Sequence, residues 1–267
     1  MSLATEEPGP TRRAADAATI RVGPLDFVAD VSGALVLPED RLLLVADLHL
    51  EKGSAFARRG IFLPPYDSRA TLASLAAALA RWRPARVIVL GDTLHDGGAM
   101  DRIDPADLAA LRALQSGIDW LWLSGNHDPS PPAGLGGSVA RELAYAGVTL
   151  RHEPSAEEPG PEIAGHLHPA GKVRGGGRSL RRRCFAANGR RCVLPAFGAY
   201  AGGLNVLDAA FRPLFQGAAF TAHVLGAGRV YAVSSSMLAP DQDGPGLRPG
   251  PAAASPEPRS APVRPRR

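Results

Sequence analysis

The chain has 267 residues, 45% of them apolar, enough for one large domain or two small ones with a substantial core. No apolar run approaches the length of a membrane-spanning helix, and the first 19 residues lack the apolar stretch of a secretory leader, so the cytoplasm is the expected compartment. The net charge is +4, yet residues 172–191 alone hold eight Lys or Arg and no acid, which leaves the remainder at −4. The basic character is one local block, not a property of the whole surface.

Residues 1–18 are small and polar and are expected to be disordered. Short strands follow up to residue 46, with 27–29 and 34–37 joined by a turn at 30–33. Residues 42–46, LLLVA, form an apolar run bounded by turn signals, the pattern of a strand buried on both faces. A short helical piece over 54–59 is expected next. The three- and four-residue spacing of Leu72, Leu75, Ala76, Leu79 and Trp82 then predicts an amphipathic helix, capped by Asp67 or Ser68 and stopped by Pro84.

Residues 87–90 read as a second buried strand. The next helix has Asp104 as its cap, Pro105 at its first position and Asp107 at the positive end of its dipole. Residues 118–123 make the third buried strand. Strand, helix, strand, helix, strand at this spacing is βαβ architecture with a largely parallel sheet. From Val148 the segments shorten, glycine-rich turns separate them, and a second, mostly antiparallel sheet is expected. A single domain over 19–238 is thus followed by a Pro/Ala/Arg-rich tail over 239–267 without periodicity, expected to be disordered.

The two cysteines flank Asn188-Gly189. If that pair is a two-residue hairpin turn, Cys184 faces Val193 and Cys192 faces Phe185. The thiols then lie on opposite faces of the ribbon, and no disulfide is expected.

Each buried strand ends in residues able to ligate a metal: Asp47 and His49, then Asp92, then Asn126 and His127. Further on come His152 and the run Gly165-His166-Leu167-His168. Ligands of open α/β sheets bind at strand carboxyl ends. Asp47 and His49, two apart on extended chain, point the same way and offer an oxygen and an imidazole to one ion. One Asp-x-His is a weak signal, and a lone buried His is more often core than ligand. The series in this order has no comparable bland explanation. His223 falls outside every motif and reads as structural.

The set Asp-x-His, Gly-Asp, Gly-Asn-His-Asp, a lone His and Gly-His-x-His resembles the calcineurin-like metallophosphoesterase superfamily over residues 47–168. The segments LLLVADLHLEKG, VIVLGDTLHDGG, GNHDP, RHEP, EIAGHLHP and VLPAFGAYAGGLNVL resemble one branch of it, the ligase-associated DNA damage response endonucleases, found in bacteria beside DNA ligase and helicase genes. The resemblance implies a four-layer α/β/β/α sandwich, two packed mixed sheets flanked by helices. It also implies two divalent metal ions, Mn2+ first, with Fe or Zn2+ compatible with the same mixed imidazole and oxygen donors. Asp47, His49 and His168 would hold one ion, and Asn126, His152 and His166 the other, with Asp92 bridging. Two such ions roughly 3.5–4 Å apart clamp a phosphoryl group for in-line displacement.

His127, beside Asn126, would then protonate the leaving oxygen or stabilise phosphoryl charge, with Asp128 orienting its ring. His95 either contacts substrate or a metal-bound water, or caps its loop. The basic block offers Arg181, Arg182 and Arg183 to a phosphodiester backbone and Phe185 as a stacking face; a charge run on a hairpin is also commonly a solvated edge. Three readings follow. The first is a nuclease acting on DNA in repair, with a ligase and helicase as working partners. The second is a phosphodiesterase or phosphatase for small molecules such as nucleotides, and the third a non-catalytic scaffold.

Overall fold

The computed structural model describes residues 18–130, 133–157 and 160–241. Residues 1–17 and 242–267, most of the two segments expected to be disordered, lie outside the described residues. Ala18 already belongs to a strand, and Ala239 is held by a hydrogen bond from its N–H to the Lys172 carbonyl.

The first sheet holds seven strands in chain order: β1 (Ala18–Val22), β2 (Leu25–Ala29), β3 (Leu35–Leu37), β4 (Leu42–Val45), β5 (Arg86–Val89), β6 (Asp119–Leu123) and β7 (Ser138–Ala140). Pairing is antiparallel from β1 to β4 and parallel from β4 to β7. The predicted buried strands are therefore the parallel centre, and β4 is buried at all four positions.

Helix α1 (Lys52–Ala57) begins two residues before the expected piece. Helices α2 (Asp67–Trp82) and α3 (Pro105–Leu114) cover the outer face of this sheet. Leu72, Leu75 and Leu79 of α2 pack on Leu43, Val45, Val87 and Val89. Full burial of a leucine such as Leu75 contributes roughly 1.5–3 kcal/mol. Asp104 caps α3 as predicted, accepting from the Ala106 N–H at 2.7 Å. The expected cap of α2 is not made. Asp67 and Ser68 lie inside the helix and face backward, where Asp67 accepts from the Gly53 N–H and Ser68 binds Glu51. They tie the loop after β4 to the helix instead of closing its end.

The second sheet is built from β8 (Glu142–Tyr145), β9 (Val148–Arg151), β10 (Glu162–Ala164), β11 (Pro169–Gly175), β12 (Arg178–Ala187), β13 (Arg191–Val193), β14 (Leu204–Asn205), β15 (Thr221–Leu225) and β16 (Val230–Ser234). Five of its pairings are antiparallel and three parallel, so it is mixed. The parallel ones include β9–β10–β13, the trio whose carboxyl ends face the metal-competent loops. Between the sheets lies an apolar layer in which Phe27, Leu42, Leu44 and Ile88 meet Leu150, Ile163, Phe185 and Cys192. A short helix, α4 (Arg212–Phe215), with Phe211 before it, covers Cys184, Ala186 and Val193 on the outer face of the second sheet. Two mixed sheets flanked by helices is the expected four-layer arrangement, with a thin fourth layer.

The β12–β13 register differs from expectation. Ala186 faces Val193 and Ala187 faces Cys192, because Asn188 accepts from the N–H groups of Arg190 and Arg191 and moves the turn to Gly189-Arg190. The slip is two residues, which preserves parity. Cys184 and Cys192 accordingly sit in different apolar layers, and both thiols are free.

Candidate metal centre

The loops after β4, β5, β6, β9 and β10 converge at one end of the two sheets. Backbone bonds fix them: Asp47 N–H to Gly91, His49 N–H to Asp92, Gly165 N–H to the His152 carbonyl, and Phe197 and Gly198 N–H to Ala46 and Asp47. Every motif residue except the arginines is drawn into this region.

The residues fall into two lobes. In one, His49 Nε2 lies 3.2 Å from His168 Nε2, and His168 Nε2 lies 3.3 Å from Asp47 Oδ1. In the other, Asn126 Oδ1 is 2.9 Å from both His152 Nε2 and His166 Nδ1. Asp92 stands between them, with Oδ2 3.7 Å from His49 Nε2 and Oδ1 3.4 Å from His152 Nε2. Asp47, His49 and His168 form one compact potential ligand group; Asp47, Asp92 and His152 form a second.

The backbone here departs from the extended chain assumed for Asp47 and His49. Both have positive φ (57° and 44°), as do Asp92 (48°), His166 (69°) and His168 (46°). Left-handed non-glycine residues cost on the order of 1–3 kcal/mol each and persist where surrounding structure over-determines them. The left-handed turns send His166 to the Asn126 lobe and His168 to the Asp47 lobe. Glycines make the required space. A Cβ on Gly125 would lie 2.2 Å from Asp92 Oδ1, and one on Gly165 would lie 2.7 Å from Asp47 Oδ2. The motifs contain these glycines, but sequence alone does not show what they make room for.

The arrangement fits divalent cations. Asp47 and Asp92 are 0% and 2% exposed, and no Lys or Arg among the described residues pairs with either. Buried charges are otherwise paired or bound to metals. The His152 Nδ1–H donates to the Leu90 carbonyl at 2.9 Å, so in the neutral ring Nε2 turns a lone pair toward the Asn126 and Asp92 oxygens. Lone pairs converging on lone pairs call for a cation between them. Burial, with His168 close by, holds the His49 imidazole down at about 2, so the ring stays neutral and able to ligate. Asp47, His49, His168, Asp92, Asn126, His152 and His166 are the residues that would hold the metal. A divalent ion there supplies Lewis-acid stabilisation of charge on a phosphoryl group.

His127 stands at the rim with its side chain 39% exposed and Nε2 4.0 Å from Asp92 Oδ2. Its backbone N–H donates to Asp92 Oδ1, and its ring Nδ1–H donates to the His95 carbonyl at 2.7 Å. That carbonyl, not Asp128, orients the ring. Asp128 accepts from the Leu94 N–H instead, and burial, reinforced by Asp92, pushes its carboxyl up to about 6. The His95 ring stacks on His127 at 5.2 Å and meets His49 edge-on at 5.6 Å. The three rings form a further potential ligand group.

Two of the three candidate arginines of the basic block are engaged elsewhere. Arg181 pairs with Asp241 and donates to the Gly203 carbonyl; Arg183 donates to the Ala196 and Phe197 carbonyls. Arg182 is exposed and, among the described residues, reaches only the Arg181 carbonyl. Phe185 is 0% exposed, so it offers no stacking face. Its place in β12 turns it into the layer between the sheets.

Two layered sheets and a buried carboxylate–imidazole cluster at their strand ends define a metal-dependent hydrolase of phosphoric esters. The calcineurin-like phosphoesterase profile matches residues 40–182, and the chain belongs to that family. Among solved structures, Pseudomonas putida nuclease MPE is 29% identical, with a TM-score of 0.63 over 82% of this chain and 100% of that one. Looser likenesses are to Yfce, a phosphoesterase from E. coli (13% identical, TM-score 0.38, 73% of this chain and 98% of that one), and to the protein of unknown function AQ665 from Aquifex aeolicus (16%, TM-score 0.35, 48% and 78%). No curated protein matches the chain.

Proposed function

We propose that residues 19–238 form a phosphodiesterase that uses two divalent ions, Mn2+ by preference, to cleave nucleic-acid strands. In this reading the protein belongs to the PdeM branch and serves DNA repair with a ligase and helicase as working partners. The observation that carries the two-ion reading is Asp92: its two carboxylate oxygens address different lobes, one toward His49 and the other toward His152. A shared carboxylate between two ligand sets is what a paired-ion centre requires. The likeness to nuclease MPE supports a polynucleotide substrate. His127 serves as proton donor to the leaving oxygen or as a partner for phosphoryl charge, since its Nε2 faces the centre while Nδ1 is held from behind.

A second reading, a phosphodiesterase for nucleotides, is favoured by a cleft of about 760 Å³ beside Asn126 and His152, lined also by Arg141, Arg151 and Glu153. That volume lies within the range of small-ligand pockets. The scaffold reading gains nothing from a centre with its full complement of ligating side chains.

The deciding experiment strips the protein of metal, restores Mn2+, and measures hydrolysis of a bis-aryl phosphodiester and of single-stranded DNA in parallel. Turnover of both is expected. Turnover of the small diester alone would replace the nuclease reading with the nucleotide one. Absence of both with two ions bound would overturn the phosphodiesterase assignment.

A further inference from the structure

With Phe185 buried, an unpaired base needs a different aromatic surface, and the chain between α1 and α2 carries one. Phe62 is 85% exposed, the highest value for a large apolar side chain among the described residues, and Tyr66 is 60% exposed. Both belong to the loop between α1 and α2. Residues 52–66 contain Lys52, Arg58 and Arg59 and no acid. Neither Arg58 nor Arg59 forms an ion pair among the described residues, and both are exposed.

The loop adjoins the catalytic end of the molecule. The Phe56 ring lies 5.9 Å from the His95 ring, which stacks on His127. Lys52 and Arg59 both stand close enough to the His95 ring for their charge to act on it. The Arg58 guanidinium lies 3.7 Å from where a Cβ on Gly98 would stand, just past His95. The base of the loop is held in place. Ser54 and Ser68 bind the Glu51 carboxylate at 2.7 and 2.8 Å, and the Tyr200 hydroxyl donates to the Pro64 carbonyl at 3.0 Å. Pro64-Pro65 restricts the backbone between Phe62 and Tyr66. An exposed aromatic on a loop that is anchored at its base and carries unpaired cations is the combination that single-stranded nucleic acid uses, the base stacking and the phosphates meeting the charge. It also avoids the ordering cost a mobile loop would add.

We propose that the α1–α2 loop is a strand-binding platform: Phe62 stacks on an unpaired base of a single-stranded nucleic acid while Arg58 and Arg59 hold its backbone, delivering the neighbouring phosphate to the His95–His127 side of the metal centre. The proposal rests on the phosphodiesterase reading and names where the strand lies.

The test uses the full chain and a fluorescent single-stranded oligonucleotide, with an otherwise identical abasic version. Losing the stacked base should make Phe62→Ala bind about tenfold more weakly, about 1.4 kcal/mol. Phe62→Leu should weaken it similarly and Phe62→Trp should keep it. The difference between normal and abasic strands should shrink in Phe62→Ala. The ratio of strand cleavage to bis-aryl diester hydrolysis should fall about tenfold. Wild-type affinity in Phe62→Ala or Phe62→Leu would overturn the platform. So would release of Phe62→Ala from anionic vesicles with its strand affinity intact. A wild type that binds strands through Phe62 but hydrolyses no diester would leave the platform standing and remove the phosphodiesterase reading. A Phe62→Ala protein that cleaves strands as well as the wild type would do the reverse.

Discussion

Replacing Gly125 with alanine should disable the centre without touching a ligand. The added Cβ would lie 2.2 Å from Asp92 Oδ1, 2.3 Å from the Asp92 backbone nitrogen and 2.8 Å from Asp128 Oδ1. Ordinary van der Waals contact begins near 3.4 Å, so Asp92 or the 125–127 turn must move by about 1 Å. The flexible end of a side chain cannot absorb this, because the nitrogen of Asp92 is itself in the way. A displacement of that size at a catalytic constellation costs on the order of 10²-fold in rate. Overpacking adds a stability cost of about 1–3 kcal/mol. Diester hydrolysis with restored Mn2+, metal content and thermal melting would be measured together. Gly202→Ala is the control, since nothing lies within 4 Å of its added Cβ. A Gly125→Ala protein with the wild-type rate and full metal content would refute the claim that this glycine makes room for Asp92.

Asp92→Asn keeps a residue that tolerates the left-handed backbone but loses one anionic oxygen; bound metal should fall and diester hydrolysis should drop by more than about 10²-fold, and retained activity with full metal would contradict the bridging role. Arg183→Ala strips the Ala196 and Phe197 carbonyls of their donor and should cost about 1–3 kcal/mol in denaturant unfolding, whereas exposed Arg182→Ala should stay within about 0.5 kcal/mol. Equal losses would contradict that assignment. Burial pushes the Cys184 thiol up to about 12 and Cys192 in the same direction, so neither should react with a thiol reagent until the chain unfolds. Burial, with Asp40 accepting from its hydroxyl at 2.6 Å, pushes Tyr145 up to about 12. Because the folded phenol keeps its proton to higher pH than the unfolded one, its stabilising contribution is present below about pH 10 and is lost as pH rises through 12. Ultraviolet titration should show one late phenol that Asp40→Asn brings earlier.

The parts of this fold legible in the sequence are those whose signals are local. Leu42–Val45 and the parallel strands β5 and β6 declare themselves by apolar runs, and Asp104-Pro105 marks a helix start whose cap is made as expected. Asp67 and Ser68 carry the same kind of signal and mislead, because their partners are Gly53 and Glu51, fourteen and seventeen residues away. Pairing decides the second sheet. Phe185 reads as an available aromatic until β12 pairs with β15 and turns it inward, opposite His223. Arg183 reads as spare charge until the 196–197 carbonyls arrive beside it. The residues that would hold a metal were legible as a set because each follows the end of a strand. The division of His166 from His168 came through the family resemblance alone, since it depends on φ angles that no spacing encodes.

Each ligand lobe takes side chains from both sheets. Asp47 and His49 leave the first sheet and His168 the second; Asn126 leaves the first, and His152 and His166 the second. A cation seated in either lobe therefore rivets one layer to the other, at the end where the apolar filling gives way to polar side chains. Binding energy of this kind adds to folding stability by mass action. A cell short of such a cation would then carry a protein whose layers part more readily, and loss to quality-control proteases would compound any loss of turnover.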